Sequence, residues 1–146
     1  MKTIIFLTLI FYGTNLNAQK LTKCEDLISL LNNNEILHEF RSENNPDSLI
    51  LIDPSNIIPA ECNSFRWGKS YIKVLVDSSI LKALDTVYAH GIFLNKCEYY
   101  LLTKGKGKGN NRSLNILHAC SNVEVRVIYR IFNKKYKPLN ITSVVY

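Results

Sequence analysis

The chain has 146 residues, of which 47 % are hydrophobic, with 18 Lys/Arg, 12 Asp/Glu and four cysteines. That length supports one domain with a real core, while no apolar run reaches the roughly 20 residues a bilayer span needs. The formal net charge of +6 permits an anionic partner without demanding one.

At the N-terminus Lys2 supplies a positive charge, residues 4–12 form an uncharged and mostly apolar run, and residues 13–18 make a short polar exit. This is the layout of a secretory signal peptide at 1–18, cleaved between Ala18 and Gln19. It predicts a secreted protein, periplasmic or extracellular, whose mature part at 19–146 is a single domain. Cys24 lies well past the apolar run and follows Lys23, the wrong neighbour for a lipid-attachment cysteine. It reads as structural.

Residues 25–40 predict an N-terminal helix, because Leu27, Leu30, Leu31, Leu37 and Phe40 fall largely on one side. The Asn32-Asn33-Asn34 run is a poor helix interior and allows a break into two shorter helices. A turn at 44–48 contains Pro46, and 49–52 then reads as a short buried strand. Residues 53–64 form a loop with Pro54, Pro59 and Cys62, followed by a strand at 71–76. Asp77 or Ser78 is placed to cap a brief helix through Leu84. From Thr86 the pattern becomes a meander with strands at 86–94, 97–103, 113–120, 123–132 and 136–145. Pro138 makes the last strand an edge or a bulged strand. The expected fold is α+β, an N-terminal helix packed on an antiparallel sheet.

The turns imply a register. A symmetric loop at 104–111 sets Leu101 against Ile116, Tyr99 against His118 and Cys97 against Cys120. A tight turn at Ser121-Asn122 sets His118 against Val125 and Ile116 against Val127. One face then collects Cys97, Leu101, Leu114, Ile116, Cys120, Val123, Val125, Val127 and Tyr129, and the other Glu98, Asn115, Glu124, Arg126 and Arg130. An even number of cysteines in an exported chain reads as two disulfides. The register pairs Cys97 with Cys120, and elimination pairs Cys24 with Cys62.

Charge is unevenly divided. Residues 19–99 hold eight Lys/Arg against eleven Asp/Glu, whereas 100–146 hold nine against Glu124 alone. Lys104, Lys106, Lys108 and Arg112 lie on a glycine-alternating segment, a composition that gathers phosphate or sulfate and also suits a solvated hairpin loop. Tyr100 and Phe132, with Arg126 and Arg130 on the charged face, form a candidate partner surface unless early elements cover them. His90 and His118 fall on one sheet face beside Tyr99, the alternative that would support acid–base chemistry in a small hydrolase or isomerase.

The cysteine spacings contain no C-x-x-C pair and no neighbouring His, so no metal and no cofactor are expected. Gly68-Lys69-Ser70 resembles the end of a phosphate-binding loop, but Asn63 stands where that loop needs glycine, which argues against a nucleotide.

The order of leader, helix, Leu49-Ile50-Leu51-Ile52-Asp53, cysteine loop, Gly68-Lys69 and terminal meander resembles small secreted bacterial proteins, a family with no activity to transfer. A helix against a curved antiparallel sheet also resembles the cystatin and nuclear-transport-factor-2-like rolls. The cystatin Q-x-V-x-G segment is absent, since the sole glutamine is Gln19. The expected role is a non-catalytic secreted interaction or ligand-binding module for an anionic surface or a protein partner. A structural, envelope-associated protein is a further alternative.

Overall fold

The computed structural model describes residues 23–40, 47–133 and 135–146. The expected signal peptide at 1–18, and positions 44–46 of the expected turn, lie outside the described residues. Two short helices, α1 (Cys24–Leu31) and α2 (Asn34–Glu39), precede nine strands. These are β1 (Ser48–Ile52), β2 (Ser64–Trp67), β3 (Ser70–Leu75), β4 (Thr86–Ala89), β5 (Ile92–Asn95), β6 (Tyr99–Gly105), β7 (Arg112–His118), β8 (Val123–Phe132) and β9 (Lys135–Val145). Strands hold 50 % of the described residues and helices 12 %. The expected α+β roll is therefore corrected to a mostly β architecture.

The helical stretch is broken by its own asparagines. Asn32 ends α1 by donating its amide to Ile28 O at 2.9 Å, and Asn33 caps α2 by accepting from Glu35 N. What remains is too short to form the helical layer that the sequence pattern suggested.

Seven strands form one curled sheet in the order β2-β3-β1-β6-β7-β8-β9, and β4-β5 form a separate hairpin. The sheet is mixed rather than antiparallel, because β1 runs parallel to both β3 and β6. Parallel strands are covered on both faces, which explains the unbroken apolar runs Leu49-Ile50-Leu51-Ile52 and Tyr99-Tyr100-Leu101-Leu102. One face packs Leu49, Leu51, Tyr100, Leu102, Ile116 and Val125 beneath the helices. The other packs Ile52, Leu75, Tyr99 and Leu101 beneath Val87, Ala89 and Leu94 of the β4-β5 hairpin.

Helix α1 touches β2 and β9, the two edge strands, so it spans the mouth of the curl. The β2 side is fastened by hydrogen bonds. Trp67 Nε1 donates to Leu31 O at 2.8 Å, and Gly68 N donates to Asn32 Oδ1 at 2.9 Å. Disulfides join Cys24 to Cys62, with Cα atoms 5.3 Å apart, and Cys97 to Cys120, with Cα atoms 4.7 Å apart. Both fit an oxidising compartment.

Three local expectations are also corrected. Leu101 pairs with Leu117, one residue from the expected register, and Ile116 pairs with Val125, two residues away. The two-residue shift keeps faces intact, whereas the one-residue shift turns β6 over. The expected strand at 86–94 is a hairpin, because His90 (φ 48°) and Gly91 (φ 81°) make a left-handed two-residue turn between β4 and β5. In place of the brief helix after Asp77, the carboxylate accepts from Ser79 N and Oγ at 3.0 and 2.6 Å, a local turn that competes with helix formation. Pro138 lies on edge strand β9, beside a register shift opposite Ile128 and Tyr129.

Candidate anion-binding end of the sheet

Antiparallel pairing of β6 through β9 brings the 106–111 loop and the connection from β8 to β9 to the same end of the sheet. Lys104, Lys106 and Lys108 are exposed there, with Arg112 half-buried, and Arg130, Lys135 and Lys137 are exposed on the adjoining strands. Arg126 stands farther along β8, about 20 Å from Phe132 at roughly 3.3 Å per residue. Glu124 is the sole acidic residue between positions 100 and 146, and its pairing with Leu117 and Val144 puts it at the opposite end.

The sheet holds these cations in defined places. Arg130 donates from Nε and Nη2 to Asn111 Oδ1 at 3.1 and 3.0 Å, which ties β8 to the 106–111 loop. Arg126 donates from Nε to Asn115 Oδ1 at 3.4 Å and lies 3.9 Å from Glu124. The acceptors are neutral amides, so these bonds orient the guanidinium edges without neutralising their charge. The alternating glycines have a steric cause as well. A Cβ at Gly105 would fall on the Ser113 side chain, and one at Gly107 on the Asn111 carbonyl oxygen. The loop narrows at these positions.

Not every candidate belongs here. Tyr100 is 1 % exposed and is removed from the candidate partner surface. The turned-over β6 places its ring edge-on to Phe40 and Trp67, with centroids 5.2 and 4.9 Å away, and stacks it on His118 at 4.5 Å. Burial pushes its hydroxyl up to about 12. Lys135, Lys137 and Asn111 were missed as members of this end. The order of the hairpins was the available signal, since consecutive antiparallel turns alternate between the two ends of a sheet.

The histidines do not meet. His118 lies beneath the helices with Nδ1 2.9 Å from Ser121 Oγ, whereas His90 sits at the β4-β5 turn on the other face with Nε2 against Val76 O. The expected shared face is lost because the 86–95 segment folds as a separate hairpin over the sheet's second face, while His118 packs with Phe40 and Tyr100 on the first. Burial lowers the His118 pKa below 6.5, the ordinary value of an exposed or unfolded ring. The unfolded chain then binds the extra proton first, so stability is full above that value and falls as pH drops through it. Thermal unfolding is expected to show a lower midpoint at pH 5.5 than at pH 7.5, with the difference reduced in His118→Gln.

No family model, curated protein or solved structure matches this chain. Among the described residues no helix is long and apolar enough to cross a membrane, and no group of three His, Cys, Asp or Glu side chains is placed to hold a metal. A groove of about 380 Å³ between α2 and β9 is lined by Asn34, Glu35, His38, Glu39, Ile141 and Ser143. It is open to solvent, and its β9 lining residues Ile141 and Ser143 pair with Val127 and Val125, away from the Phe132–Lys135 end of that hairpin.

Proposed function

We propose that this protein is an exported, non-catalytic binding module that holds an anionic partner at the β6-β7 and β8-β9 end of its sheet. The carrying observation is the convergence of Lys104, Lys106, Lys108, Arg112, Arg130, Lys135 and Lys137 at an end whose nearest strand carboxylate, Glu124, lies at the far side. Such a concentration of one sign raises local anion concentration and speeds encounter. Export rests on the leader-like residues 1–18 and fits the two disulfides. The hydrolase or isomerase alternative loses its motivating geometry, because His90 and His118 occupy opposite faces.

Salt elution from immobilised heparin tests this reading with two variants of equal charge. Neutralising Lys104, Lys106 and Lys108 to glutamine is expected to lower the elution salt markedly and to reduce the log-affinity against log-salt slope by about 2–3. Neutralising Lys69, Lys73 and Lys82, which lie outside this end, is expected to change it little. Equal shifts from both variants would mean that net charge alone is responsible, and the proposal would fail.

A further inference from the structure

Charge does not account for one side chain at this end. Phe132, the last residue of β8, is 66 % exposed. Its cross-strand partner is Lys135, and Asn133, at φ 50°, turns the chain immediately after it. The phenyl ring therefore stands at the end of the β8-β9 hairpin opposite Lys135, where water contact is unfavourable for it.

A free phosphate or a sulfated polymer draws on the ammonium groups but has no apolar layer to receive the ring. A single-stranded nucleic acid would use several stacking platforms, and the neighbouring rings are committed elsewhere. Tyr129 is buried and packs on Tyr136 with centroids 5.5 Å apart. An anionic bilayer matches both features, because headgroup phosphates attract the lysines and the acyl boundary accepts the ring. The cations reinforce this match. Lys104, Lys106, Lys108, Lys135 and Lys137 are point charges suited to a diffuse headgroup field, and the fork of Arg130 is already turned towards Asn111.

Resting on the anionic-partner reading above, we infer that the partner is an anionic lipid surface, which the lysine cluster approaches and Phe132 enters at the interface. Binding of this kind is peripheral and reversible.

Co-sedimentation with phosphatidylcholine vesicles, with or without phosphatidylglycerol, tests it alongside heparin retention. The wild-type protein is expected to sediment with the phosphatidylglycerol vesicles and to stay in solution with pure phosphatidylcholine. Phe132→Ser is expected to weaken vesicle binding about tenfold while leaving heparin elution unchanged, and Phe132→Trp is expected to retain vesicle binding. Heparin retention without vesicle binding would overturn the lipid inference and leave the anionic-partner reading standing. So would equal vesicle binding by wild type and Phe132→Ser, or a loss of heparin retention in that variant. Failure to bind either probe would overturn both.

Discussion

Tyr100→Ala is expected to cost about 3–5 kcal/mol, the range for removing a fully buried aromatic side chain. The ring is 1 % exposed and touches Phe40, Trp67 and His118, so truncation leaves a void that three rigid rings close poorly. The same substitution on a partner-binding surface would stay within about 0.5 kcal/mol. Urea unfolding with the disulfides intact therefore distinguishes the two placements of one residue. A cost below 1 kcal/mol would mean that Tyr100 lies on an exposed surface instead of in this core.

Removing the Cys24–Cys62 bridge by a double serine substitution is expected to cost about 4 kcal/mol, since it closes the longer of the two loops. The position adds to that figure. Cys62 is fully buried, and the bridge anchors the first turn of an eight-residue helix that has no side-chain cap and would be marginal alone. Without it, α1 is held among the described residues by the Trp67 hydrogen bond to Leu31 O and by its apolar contacts. The Cys97–Cys120 bridge closes a shorter loop between exposed residues and is worth about 3 kcal/mol on the same basis. Denaturant midpoints of the two double variants check the order, and a smaller loss at Cys24–Cys62 would contradict the role given to α1.

The strands that alternate cleanly were legible in the chain. β8 has Val123, Val125, Val127 and Tyr129 on one side with Glu124, Arg126 and Arg130 on the other, so its faces admit one assignment. β6 was not legible in this way. Tyr99-Tyr100-Leu101-Leu102 is apolar on both faces, so moving it by one residue buries no charge and its own sequence does not fix which face it presents. What decides β6 is remote, namely the parallel partner β1 on one side and the β4-β5 hairpin covering its second face. The cationic loop was visible as composition. Its convergence with Lys135 and Lys137 needed the path of β8 and β9. The two-residue turn at His90-Gly91 was signalled by its glycine but hidden inside a run that also reads as one strand.

In the function proposed above, one end of this sheet, and not the basic chain as a whole, meets the anion. Amide chemical-shift mapping during titration with inorganic polyphosphate is its most direct test, resolving by residue what elution reads in aggregate. Shifts concentrated at Lys104–Arg112 and around Arg130, Lys135 and Lys137 are the expected result. Shifts centred on the β2-β3 or β4-β5 turns, or spread evenly over all exposed lysines, would contradict it.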